Sequence, residues 1–150
     1  MQFVFSAEEL RYRTKLQLFG NMRLIVELYV YNQIPEDIIV TCITSLLEEV
    51  NDQSIEILSQ TIAKIATHVV KRAIREREEL TQENSGAQGS HEKRQRKKSS
   101  YRSHSINLEY VEGVLRNVFE YRQSDMLSSR VKFKIQDLID EYEKDWKTTM

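Results

Sequence analysis

Residues that interrupt helices are scarce in this sequence: one proline and four glycines stand among 150 residues. An all-β domain of this length needs many more turn residues, so that class is excluded and an all-α fold is expected. The single cysteine, Cys42, excludes an internal disulfide and a cysteine-only metal site, and it fits a reducing compartment. No apolar run approaches the ~20 residues that span a bilayer. The opening residues, MQFVFSAEEL, lack the basic region and long apolar core of a signal peptide. Together these absences point to a soluble intracellular chain that forms one domain or part of one.

Net charge is also scarce, at −1, but the total hides a pattern. Residues 1–80 carry 9 Lys/Arg against 12 Asp/Glu, and residues 103–150 carry 7 against 9. Between them, HEKRQRKKSSYR (91–102) holds six bases and one acid. Residues 81–105 contain no aliphatic side chain larger than Ala87, so they cannot offset the entropy of ordering. They are expected to form a disordered basic insertion.

What is present is helical periodicity. Ser6 and Glu9 offer a capping box for a first helix through Leu10, Leu16, Phe19 and Met22 into LIVELYVY. Within it, Gly20 would mark a kink or a close helix contact. Pro35, Glu36 and Asp37 open a second helix on Ile38, Ile39, Cys42, Ile43, Leu46, Leu47 and Val50. After the Asn51-Asp52 cap, a third follows Ile55, Leu58, Ile62, Ile65, Ala66 and Val69 and fades into KRAIREREEL. Asn107 caps a fourth on Val111, Val114, Leu115, Val118 and Phe119, and QSDML is a loop.

The last segment, SSRVKFKIQDLIDEYEKDW (128–146), is ambiguous. Val131, Phe133 and Ile135 alternate with lysines like a strand, whereas Val131, Ile135, Leu138, Ile139 and Tyr142 repeat like a helix. No other segment reads as a strand to pair with, and Ser128 or Ser129 supplies a cap. The helix is preferred, with Phe133 opposite Val131 and the helix sandwiched between two packed faces. Five helices joined by short turns suggest an α-solenoid of antiparallel pairs, and a compact bundle also fits the pattern.

Two stretches carry a resemblance. Gly20, Asn21, Arg23, Ile25, Glu27, Leu28 and Tyr29, followed by Cys42, Leu46 and Leu47, stand at matching places in the middle domain of eukaryotic translation initiation factor 4 gamma. Ser128, Ser129, Arg130, Lys132, Phe133, Gln136, Asp137, Asp140 and Trp146 resemble that domain's last helix. Ser54, Glu56, Leu58 and Ile65 are similar to an intervening one. The resemblance implies a solenoid of HEAT-like helix pairs, with residues 1–150 matching the C-terminal half of the domain. It also implies a non-catalytic scaffold that binds a DEAD-box helicase, initiation factor 4A, in the cytoplasm.

Candidate sites follow from charge and position. Arg130, Lys132 and Lys134, with Asp137 a turn on, would meet an acidic helicase surface or RNA phosphate. A solvated face, or an internal Arg130–Asp137 pair, is the plainer reading. Lys93, Arg94, Arg96, Lys97, Lys98 and Arg102, beside Tyr101, would bind RNA weakly and without sequence preference. The 93–98 run also reads as a nuclear localisation signal, or as a solvated linker. Phosphorylation at Ser99, Ser100, Ser103 or Ser105 would cancel part of its charge. Glu27 is expected to be structural, paired with Arg23 or with a base such as Arg130, with direct contact to a partner as the other reading.

No nucleophile–base pair, phosphate loop or histidine pair stands at ligand spacing, and Cys42 lies on an apolar stripe, so neither enzyme activity nor cofactor is expected. The other readings are an RNA-binding protein acting through 91–102, or a relative in nonsense-mediated decay or nuclear cap binding. Contacts to other initiation factors, and self-association through Leu10–Phe19, complete the expected partners.

Overall fold

The long helix α3 (Asp52–Ser85) touches each of the other four α-helices among the described residues. The computed structural model describes residues 6–85 and 105–150. These form α1 (Ala7–Val30), α2 (Glu36–Glu48), α3, α4 (Leu108–Glu120) and α5 (Ser129–Glu141), with a 3₁₀ turn at Tyr121–Gln123 and a π-helical turn at Tyr142–Trp146. Among the described residues there is no strand, and the alternating Val131–Ile135 stretch lies inside α5. No described helix is long and apolar enough to cross a membrane.

Side-chain contacts fix the helix directions. Lys15 reaches Glu56 and, further along both helices, Glu27 reaches Lys64, so α1 and α3 run the same way. The Ser128 amide donates to Asp52 at 2.7 Å near the start of α3, and Arg77 donates to the Thr149 carbonyl at 3.3 Å further along. Helix α5 therefore runs alongside α3 in the same sense. Short turns reverse the chain from α1 into α2, from α2 into α3 and from α4 into α5, so α2 and α4 run the other way. Helix α1 packs on α2, and α4 on α5, while the backbones of α1 and α2 do not approach those of α4 and α5.

The element boundaries follow from local chemistry. Ser6 and Glu9 form the reciprocal capping box, which satisfies two of the free amides at the start of α1. Asn51, Asn107 and Ser128 accept from the amides of Ser54, Tyr110 and Val131. In the turn after α1, Asn32 takes a left-handed conformation, φ 59°, which asparagine tolerates better than most residues. Tertiary packing then selects the buried faces. Ile55, Leu58, Ile62, Ile65, Ala66 and Val69 of α3 meet Val26, Ile39 and Ile43 on one side and Val111, Leu115, Val131 and Ile135 on the other. Burying each large aliphatic side chain contributes about 1.5–3 kcal/mol.

Three expectations are corrected. Phe133 is 71% exposed, so α5 is not sandwiched. The two α-helices it touches, α3 and α4, pack on the Val131–Ile135–Leu138 face, and no described α-helix lies beyond Phe133. Gly20 sits within an unbroken α1, and a Cβ built there would meet nothing within 4 Å, so it makes no close helix contact. Residues 81–85, expected to be disordered, continue α3: the TQENS run has no Pro or Gly to stop the helix entering from REREEL, and Gln82 and Glu83 are good helix formers. The helix expected over 128–146 is present, with its last turn, Tyr142–Trp146, in π geometry and Trp146 buried in the core.

Candidate protein-binding surface

Glu56 is the least expected residue of the central helix. Its side chain is 4% exposed, and an unpaired carboxylate buried to that degree would be costly. Here it is heavily paired. Arg130 donates Nη1 to Oε1 at 2.8 Å and Nη2 to Oε2 at 2.9 Å, a two-pronged clasp. Lys134, one turn later on the same face of α5, also donates to Oε1. Lys15 of α1 approaches Oε2 at 3.4 Å and lies 5.7 Å from the centre of the Phe19 ring. Burial pushes the Glu56 carboxyl pKa up, but the hydrogen bonds from Arg130 and Lys134 and the charges of Lys134 and Lys15 outweigh it, holding the value at about 2. The same pairing raises the Arg130 pKa, chiefly through its hydrogen bond to Glu56.

Three cations thus share one anion, which leaves the junction of α1, α3 and α5 positively charged at its rim. Lys132 lies half-buried and makes no ion pair among the described residues. Asp137 is exposed and does not pair with Arg130, whose partner is Glu56. Phe133 projects from the same outer face. In the loop before α5, Met126 is 75% exposed. Of the four residues expected to bind a helicase, two are therefore occupied in holding α5 to α3, with Arg130 still 56% exposed. The other two are open to a partner.

On the far side of Glu56 lies a groove of about 810 Å³ between α1 and α3. Tyr12, Leu16, Phe19, Val26 and Ile57 supply its apolar lining, Gly20 lies on its wall, and Lys15, Arg23 and Lys64 give it charge. Glu27, expected to pair with Arg23 or Arg130, instead accepts from Lys64 at 3.1 Å and is half-exposed, so it needs no buried partner. The RNA-binding residues expected at 93–102 lie outside the described residues, as do His91 and His104. Cys42 is half-buried, and burial raises its thiol pKa. His68 meets Tyr29 edge-on at 5.5 Å.

Sequence reasoning missed the roles of Glu56 and Lys15. A signal was present: Glu56 interrupts the apolar run Ile55–Leu58, as Glu27 interrupts LIVELYV. The Arg130/Lys134 spacing of four residues, placing two cations on one helix face, pointed to a shared anion. Compared with models of known protein families, with curated proteins and with solved structures, the chain matches none.

Proposed function

We propose that this chain is a non-catalytic binding module of translation initiation, akin to the middle domain of initiation factor 4 gamma, that docks a DEAD-box helicase of the initiation factor 4A type. With α1, α3 and α5 running one way and α2 and α4 the other, its helices are read as consecutive pairs of a HEAT-like solenoid. The observation that carries the docking site is the outer face of α5. There an exposed aromatic, Phe133, stands beside Arg130 and Lys134, which clasp Glu56 while Arg130 also feels the charge of Asp52, and beside Lys132, which makes no ion pair among the described residues. Aromatic and arginine side chains are enriched at interface cores, and a cationic rim steers an acidic partner. A scaffold of this kind acts by binding one arrangement of a two-lobed helicase better than the others.

The test is the RNA-dependent ATPase rate of an initiation factor 4A helicase, titrated with the chain, with a 91–102 deletion and with Lys132→Glu. Lys132 makes no ion pair among the described residues, so its reversal leaves the Glu56 cluster intact. Saturable stimulation is expected, unchanged by the deletion and weakened about tenfold by Lys132→Glu, the scale of one interfacial charge reversal. Absence of stimulation, with RNA bound only by the undeleted chain, would overturn the proposal in favour of RNA binding through the basic run.

A further inference from the structure

We propose that the groove between α1 and α3 is a second docking surface, shaped and charged for an amphipathic helix with an acidic polar flank supplied by another protein. This inference rests on the groove alone and does not depend on the helicase reading.

The lining is apolar along its length. From Tyr12 to Val26 it follows about four turns of α1, or ~21 Å at the helical rise. That is about twice the ~10.5 Å over which a bound helix presents apolar anchors at i, i+3, i+4 and i+7, so the groove is long enough for that repeat and about two further turns. The wall is uncovered: Tyr12 and Leu16 are mostly exposed, and no described element packs across them.

Charge identifies the occupant. Three cations, Lys15, Arg23 and Lys64, line the groove; Lys64 is paired with Glu27 at 3.1 Å, and Lys15 approaches Glu56, the one carboxylate in the lining, at 3.4 Å. Glu56 is already held by Arg130 and Lys134, so it has little capacity to neutralise the wall. Arg23 makes no ion pair among the described residues. An incoming helix with Asp or Glu flanking its apolar stripe would pair with Arg23 and Lys15, whereas a basic helix would meet like charges at both positions. A second copy of α1 fits poorly for the same reason, since it carries Arg11, Arg13, Lys15 and Arg23 against Glu8, Glu9 and Glu27.

The experiment is fluorescence anisotropy with the full chain and three labelled synthetic helical peptides. One has leucines at i, i+3, i+4 and i+7 with glutamates on its polar face. The second replaces the glutamates by lysines, and the third keeps the acidic composition but scrambles the leucine order. The acidic amphipathic probe is expected to bind at least ~10-fold tighter than either twin, with affinity falling as salt rises. Leu16→Asp, at an exposed position that leaves the core intact, should abolish that binding. Arg23→Glu should invert the preference between acidic and lysine probes, and circular dichroism should show both variants folded. Equal binding of the three probes, no saturable binding, or an unchanged charge preference in Arg23→Glu would overturn the proposal. So would a dimer, seen by sedimentation, that Leu16→Asp dissociates, because a second copy would then fill the groove.

Discussion

Replacing Glu56 by glutamine keeps the shape of the side chain and removes the charge on which three cations converge. The magnitude follows from the proton equilibrium. A carboxyl lowered from 4.5 to about 2 on folding contributes about 3 kcal/mol to stability when ionised, at about 1.4 kcal/mol per pH unit of displacement. Arg130 and Lys134 remain partly in water, so once released they can be solvated. The loss in Glu56→Gln should therefore fall at about 2–3 kcal/mol, below the cost of stranding fully buried ions.

The sign of the pH dependence is set by a folded pKa below the unfolded one. The contribution is complete above about pH 4.5 and lost as pH falls towards 2. Urea unfolding followed by helical circular dichroism, in parent and Glu56→Gln at a series of pH values, reads both quantities. The stability gap should be widest near neutrality, narrow below about pH 4.5, and be nearly closed at pH 2, where the folded-state carboxyl is half protonated. A gap under about 0.5 kcal/mol near neutrality, the size of an ordinary surface substitution, would refute the reasoning. So would a gap that stays constant down to pH 2.

Two further substitutions test the backbone and the core. Gly20 lies inside α1 with no heavy atom near the position of a Cβ, so Gly20→Ala should raise stability by about 0.5–1 kcal/mol in the same urea experiment. Leu58 is fully buried in the middle of the contacts that α3 makes on both sides; Leu58→Ala should lower stability by about 2–5 kcal/mol and reduce the thermal midpoint accordingly.

The helices were legible because local signals agreed with one another. Ser6 with Glu9, Asn107, and Ser128 are polar residues that cap the helices whose apolar periods start just after them, and the structure uses each as a cap. Phe133 shows where periodicity fails. An apolar residue at a helical position announces neither a second packed face nor an exposed one, because its burial depends on whether another element lies beyond it. Here none does among the described residues. Glu56 shows the converse. Its burial depends on Arg130 and Lys134, more than seventy positions away, and a pairing between α3 and α5 has no signature within either segment. The cations could be read as a cluster by their spacing, but their target could not, so an external acidic surface and an internal carboxylate were equally compatible with the same four residues of sequence.

That ambiguity bears on how the two proposed surfaces coexist. Lys15 belongs to both, since it lines the groove and also approaches Glu56 at 3.4 Å. A carboxylate arriving in the groove would compete with Glu56 for that lysine. Glu56 is held more closely by the Arg130 clasp and by Lys134, both from α5, than by Lys15. Losing the longer contact would leave its charge compensated and α5 in place. Had Glu56 depended on Lys15 instead, occupation of the groove would have freed a buried carboxylate and loosened α5 from α3. With two cations on the α5 side and one on the α1 side, the groove can be filled without disturbing the face that carries Phe133 and Lys132. Occupancy at the two surfaces is therefore expected to be close to additive.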